Sequence, residues 1–139
     1  MSKKLSNDQI KAIIDTMVIV VDSREKVNSH ITDAFDKYGI TWIEEKLESG
    51  DYTAYVPQNP YLGVDEWIDL RDELCIERKA SCDEIIQNLT RNKERFCREF
   101  ERSTADIPIL IEDSFENAVK GNYRSQVTPK AFLGALFSF

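Results

Sequence analysis

The residues best suited to chemistry lie close together in Leu74–Asp83, Leu-Cys-Ile-Glu-Arg-Lys-Ala-Ser-Cys-Asp. Glu77 and Lys79 are two residues apart, so on a strand both side chains share one face. A carboxylate beside an ammonium suits one task. The carboxylate holds a divalent cation, and the amine orients a water or stabilises an oxyanion. Two more acids stand at comparable places upstream. Asp51 follows Gly50 and precedes the β-rich run Tyr52–Val56, and Asp22 ends the apolar run Thr16–Val21.

The elements around these residues read as an alternation of strands and helices. Leu74-Cys75-Ile76 reads as a buried strand. Ser81 and Glu84 form a capping box that starts a helix directly after it. Thr16–Val21 reads as a second buried strand and delivers Asp22 at its C-terminal end, where α/β folds place chemistry. A cap or turn role is the plainer alternative for Asp22. Ile31, Ala34, Phe35 and Tyr38 follow helical spacing, with Asn28 or Ser29 as cap and Gly39 as stop. Ile40–Leu47 and Asp51–Val56 read as two strands joined by Glu48-Ser49-Gly50. Residues 57–72, with Pro57, Pro60 and Gly63, read as an acidic surface insertion in which Trp67 and Ile68 form a helical turn.

Downstream, Ile85, Ile86 and Leu89 cover one helix face, and Phe96, Cys97 and Phe100 cover another after a break near Thr90–Asn92. Arg95, Arg98 and Arg102 align on the opposite face, three and four residues apart. Arg91 joins that stripe if the helix is continuous. A solvated face paired with Glu94, Glu99 and Glu101 is the plain alternative. Asp106–Glu112 reads as a strand with Pro108 near its start. Thr128-Pro129 opens a last helix. Residues 1–16 read as a separate N-terminal extension, with Ile10, Ile13 and Ile14 at helical spacing and Ser6 or Asn7 as cap. His30, the only histidine, reads as a surface residue without a role.

Charge bounds the partners. The net charge is −7. Residues 41–73 hold nine acids against Lys46 and Arg71, which accounts for all of it. Residues 74–102 hold seven bases and six acids. Phosphate affinity depends on where positive charge lies rather than on its sum, but the acidic balance argues against strong non-specific DNA binding. No run is long and apolar enough to span a membrane, and no secretory signal is visible. Cys75, Cys82 and Cys97 lack zinc-like spacing, and Cys75 and Cys97 read as core thiols. An intracellular, reducing compartment, whether cytoplasm, nucleus or nucleoid, is the expectation.

In order, the chain carries Val21-Asp22-Ser23-Arg24-Glu25, Gly50-Asp51, Glu77-Arg78-Lys79 followed by Asp83, and Leu110-Ile111-Glu112. This series resembles the signature of the XPF/Mus-type structure-specific endonucleases, the ERCC-type nuclease domain. The resemblance covers roughly residues 17–139 and implies an α/β fold, a restriction-endonuclease-like core with a central mixed sheet flanked by helices. It also implies metal-dependent hydrolysis of DNA phosphodiesters, branched DNA such as flaps and forks as substrate, and work in DNA repair or recombination. Mg²⁺ is the implied ion, with Mn²⁺ as substitute. Asp51 and Glu77 would be direct metal ligands. Asp22 and Asp83 would bind a second ion or orient water. Lys79 would hold the attacking water and stabilise the transition state. Arg24 and Arg78 would contact the scissile phosphate, although Arg78 can equally point away into a salt bridge. Arg95, Arg98 and Arg102 would contact the DNA backbone.

The resemblance also implies a homo- or heterodimer. Family members continue with another strand and helix and often with helix-hairpin-helix modules, which do not follow here. The apolar residues Phe132, Leu133, Leu136, Phe137 and Phe139 are therefore expected to bury against a second copy or downstream sequence. The competing reading is a non-catalytic nuclease-like subunit that pairs with an active partner. Such subunits typically lose the acidic residues, and this chain keeps Asp22, Asp51, Glu77, Lys79 and Asp83. A nuclease of broader specificity with the same chemistry is a third reading.

Overall fold

The computed structural model describes residues 4–139. In chain order they form α1 (Asn7–Ile14), β1 (Val18–Asp22), α2 (Ser29–Lys37), β2 (Trp42–Glu45), β3 (Tyr52–Val56), a short 3-10 turn at Pro60–Leu62 and β4 (Ile68–Asp69). There follow β5 (Glu77–Lys79), α3 (Cys82–Thr90), α4 (Lys93–Glu101), β6 (Ile109–Ile111), α5 (Phe115–Lys120) and α6 (Pro129–Ser138).

β1 is the centre of the sheet. It pairs with β2 in parallel and with β3 antiparallel, and β4 adds to the far end of β3. β5 and β6 pair in parallel. A Tyr52–Ile76 bridge joins that pair to β3. β3 is thus shared, with Tyr55 and Val56 on β4 and Tyr52 on the chain entering β5. The result is a mixed sheet flanked by helices, the restriction-endonuclease-like α/β architecture that the sequence implies. Val18, Val20 and Val21 of β1 are buried, as suits β-branched residues on a central strand.

The main hydrophobic core lies between the sheet and the later helices. Cys82, Ile85, Ile86 and Leu89 of α3 meet Phe96 of α4, Ala118 of α5 and Phe132 of α6. Ile109 and Ile111 of β6 pack onto this cluster, while Leu110 between them faces the other way and is half exposed. Each large side chain fully buried here contributes about 1.5–3 kcal/mol. Ser81 caps α3 by accepting from the Glu84 amide at 3.3 Å, and the Glu84 carboxylate reaches back to the Ala80 amide at 2.7 Å.

Several expectations need correction. β2 and β3 do not form a hairpin, because β1 lies between them. The link from Glu45 to Tyr52 therefore crosses the end of β1. Ile68 and Asp69 form a short strand on Tyr55 and Val56 rather than a helical turn, and Trp67 packs against the Tyr55 ring with centroids 5.1 Å apart. The strand expected at Leu74–Ile76 runs instead over Glu77–Lys79, preceded by bridges at Leu74 and Ile76. Cys82, rather than Cys97, joins Cys75 as a fully buried thiol. The helix break is real, since α3 ends at Thr90 and α4 starts at Lys93. α5 was unforeseen, although Ser114 caps its start and Gly121 ends it at φ +72°. The last helix finds only partial cover within the chain. Phe132 is buried in the core, and Leu133 and Leu136 pack against it. Phe139 stacks on Phe96 at 5.0 Å but stays partly exposed, and Phe137 projects strongly into solvent.

Candidate active site

The sheet register brings the three acids into line. Val21 pairs with Tyr52, and Tyr52 bridges to Ile76. One step further along sets Asp22 beside Asp51 and Asp51 beside Glu77. The backbone confirms the joint: the Asp22 amide donates to the Asp51 carbonyl at 2.8 Å, and the Asp51 amide to the Ile76 carbonyl at 2.8 Å. Side chains at adjacent register positions share a face. All three acids accordingly line one cleft of about 340 Å³, together with Arg24, Glu99 and Arg102.

Each carboxylate sits differently. Burial pushes the Asp51 carboxyl up to about 7; the Arg78 amide on it pulls the other way, and Glu77 and Glu25 push it further up. That amide donates to Asp51 Oδ2 at 2.8 Å. Burial also raises Glu77, opposed by Lys79, whose Nζ lies 3.0 Å from Glu77 Oε1. Lys79 is itself buried, with Nζ 5.1 Å from the centre of the Phe96 ring. Asp22 is buried and fully engaged. It accepts the Leu47 amide at 2.9 Å and the Arg24 Nε at 3.1 Å, and Arg24 also reaches the Leu47 carbonyl. Asp22 therefore pins the β2–β3 crossover and holds Arg24 at the cleft.

The cleft fits a hard cation through two carboxylates. Asp51 and Glu77 each keep one oxygen without a protein donor among the described residues, and both are destabilised as anions by burial. A cation beside them relieves that destabilisation. Among the described residues, no three His, Cys, Asp or Glu side chains converge closely enough to hold an ion alone. Mg²⁺ characteristically takes one or two carboxylates and completes its shell with waters and substrate phosphates. The donor set matches that habit.

The other expected residues divide. Arg78 points to the opposite face and is buried. Its guanidinium binds Glu112 at 2.5 Å, lies 3.6 Å from Glu25, and donates to the Val27 carbonyl at 3.1 Å. It takes the salt-bridge alternative rather than facing the cleft. Asp83 does not line the cleft either: its two oxygens accept the amides of Arg124 and Ser125 at 3.1 and 2.8 Å. It fixes the loop between α5 and α6. Arg102 lines the cleft and Arg95 its neighbour, while Arg98 leans on Glu94. His30 pairs with Glu112 at 2.9 Å.

A family model for the ERCC4 domain matches residues 21–139. The chain belongs to the ERCC4 domain family. That is a family of structure-specific nucleases that act on DNA. The match begins within β1, one residue before Asp22, and leaves α1 outside. No curated protein is a significant match to the chain. Within this ERCC4 domain two residues of the site escaped the sequence reading. Glu99 lines both the acidic cleft and the one beside it. The signal was its place between Arg95 and Arg102 on one helical stripe. Glu25, nearly buried behind Asp51, lay in the recognised Val-Asp-x-Arg-Glu run without a role assigned to it.

Proposed function

We propose that this ERCC4 domain is a Mg²⁺-dependent endonuclease that hydrolyses phosphodiesters in branched DNA such as flaps and forks. The observation that carries the reading is the pairing of Asp51 and Glu77, two burial-strained carboxylates, with the buried Lys79 ammonium on one face of the sheet. A divalent ion bound there would polarise the phosphoryl oxygens and acidify water at the site. Asp51 and Glu77 would supply its oxygen donors. Lys79 carries a like charge and cannot ligate while protonated. It is held beside Glu77, where it stabilises negative charge that builds on the phosphate in the transition state. Arg24, exposed but tethered to Asp22, is placed to meet the phosphate. Arg78 acts as a structural tie. By family likeness the chain works as a homo- or heterodimer, which sedimentation measures directly.

The roles separate by experiment. Asp51→Ala and Glu77→Ala should lose both cleavage of a labelled fork and tight Mn²⁺ binding by calorimetry. Lys79→Ala should keep Mn²⁺ and DNA affinity yet cut about 10²–10³-fold more slowly in single turnover, the usual effect of losing one transition-state stabiliser. Wild-type cleavage by Lys79→Ala refutes its role. Undiminished ion binding by Asp51→Ala places the ion elsewhere. Intact ion and fork binding without any cleavage by the wild-type protein would instead support the non-catalytic subunit reading.

A further inference from the structure

On the back of the sheet lies a groove of about 420 Å³ whose lining is almost wholly apolar. Met17, Ile19, Phe35, Leu74, Ile76 and Leu110 form most of it, and Glu112 is the one charged residue among the described lining. Ile19 stands an odd number of residues from Asp22 on β1, which puts it on the face away from the acids. α2 flanks the groove through Ile31 and Phe35 but buries no residue completely. Leu74 and Leu110 stay about half exposed. An apolar surface left open in this way marks a contact site.

A matching surface is carried by the same chain. α1 ends at Ile14, and Met17 just beyond it lines the groove. Ile10, Ile13 and Ile14 share one helical face, and Ile10 and Ile14 are 42% and 53% exposed. No residue of α1 is buried, and its main neighbour is the turn at Pro60–Leu62. With 3.6 residues to a turn, Lys11 flanks the isoleucine stripe while Asp8 and Asp15 fall on the far side. At the groove, Glu73 precedes Leu74 and Asp106 bridges to it, and both acids are exposed. Stripe and groove therefore match in apolarity and in the sign of charge at their margins.

α1 cannot turn onto its own groove without undoing its junction with β1. The amides of Asp15, Thr16 and Met17 donate to the carbonyls of Lys11, Ile13 and Ile14 at 2.9, 3.0 and 3.0 Å. The Thr16 hydroxyl adds a bond to the Ile13 carbonyl at 2.7 Å. These bonds fix the direction of the helix. A second copy faces no such constraint. Because stripe and groove meet near Met17, a two-fold axis can set each α1 into the other copy's groove. We infer that the isoleucine face of α1 docks in the back groove of a second copy, and the reverse, as a helix-in-groove homodimer. The inference rests on the dimer reading above and names its surface, on the face of the sheet away from Asp51 and Glu77. α1 lies outside the residues matched by the ERCC4 family model, so the family likeness does not supply this surface.

The test uses the full chain in sedimentation velocity across the micromolar range. The wild-type protein should shift from monomer to dimer as concentration rises. Ile14→Asp and, separately, Leu110→Asp should each raise the dissociation constant about tenfold or more, because each puts an unpaired charge into an apolar contact. Both positions are about half exposed in the single chain, so thermal melts should stay close to the wild type. A second measurement needs no destabilising change. A copy spin-labelled at Asp8→Cys, in a Cys97→Ser background, is mixed with an unlabelled copy whose Leu methyls carry ¹³C. Broadening of the Leu74 and Leu110 methyls in the unlabelled copy places α1 of one molecule on the groove of the other. A dimer that persists through both substitutions, or shows no such broadening, overturns this inference and leaves the dimer reading intact. A monomer at every concentration overturns both, while cleavage of a fork by that monomer would still uphold the nuclease reading.

Discussion

Arg78 shows how one residue can serve two faces of a sheet. Its amide holds Asp51 on the front, and its guanidinium ties Glu112, Glu25 and the carbonyls of Lys26 and Val27 on the back. Val27 adopts φ +53°, a conformation that a β-branched residue rarely takes, and is largely exposed. The tie to Arg78 offsets that strain. Removing a buried guanidinium strands its partners, so Arg78→Ala should destabilise the fold on the order of 3 kcal/mol, while the salt dependence of DNA binding stays as in the wild type. A shallower salt slope with unchanged stability in urea would return Arg78 to phosphate contact. Asp51 gives a second prediction, in chelator to keep ions out. Its carboxyl ionises at about 7 in the fold against 3.8 when free. Between those values the native state holds more protons than the unfolded state, so this group's contribution falls as pH rises. Asp51→Asn should therefore be more stable than the wild type above pH 7, with the gain fading to nothing near pH 4. A difference between the two proteins that does not vary with pH would disprove the buried-acid assignment.

At the scale of elements, the sequence showed which strands exist more readily than how they neighbour one another. The β-branched run before Asp22 and the cap at Ser81 were legible because local periodicity and capping specify them. The order of β2, β1 and β3 was not. A short polar link between two strands looks like a hairpin whether or not a third strand lies between, and only the pairing of β1 with both β2 and β3 shows the crossover, which the Leu47 amide then ties to Asp22. The same limit hid the roles of Asp83 and Arg78. Their spacing from Glu77 was visible, but the α5–α6 loop and Glu112 that occupy them lie more than thirty residues away. The turn into β3 is set by Gly50, at φ +67°. A Cβ there would come within 2.7 Å of Cys75 Cβ and 3.1 Å of the Ile76 carbonyl. Gly50→Ala should thus cost about 1–3 kcal/mol by overpacking and displace Asp51 from its place against Ile76. Thermal melts and Mn²⁺ calorimetry read the two effects. A variant as stable as the parent, with unchanged ion affinity, would show that the turn has slack.

The whole molecule carries a net charge of −7, and each of its polar clefts sets basic side chains among at least as many acids. Arg24 and Arg102 line the acidic cleft, Lys79 and Arg95 line its neighbour, and Lys46 and Arg71 lie in a third that shares Glu48, Ser49 and Arg102 with the first. Part of that charge is already committed: Arg71 pairs with Glu45 and Asp69, and Lys79 with Glu77. The arginines of α4 are looser. Arg95 is 82% exposed and stands 3.7 Å from Glu99, and Arg98 stands 3.7 Å from Glu94. Exposed pairs of this kind contribute about 0–1 kcal/mol, so a phosphate can replace the partner at little cost. The three arginines expected to act together should therefore separate. Each of Arg95→Gln and Arg102→Gln, at a cleft, should lower the slope of log K against log salt by about 0.9 on duplex DNA and weaken binding to all sequences alike. Arg98→Gln, turned toward Glu94, should leave that slope unchanged. Fluorescence anisotropy on a fork between about 50 and 200 mM salt covers a range in which such contacts register clearly. Equal losses from all three would mean that DNA wraps the outer face of α4 rather than following the clefts. No loss from any of them would make the stripe a solvated helix face, and the path of the backbone would then run through Arg24 and Lys46.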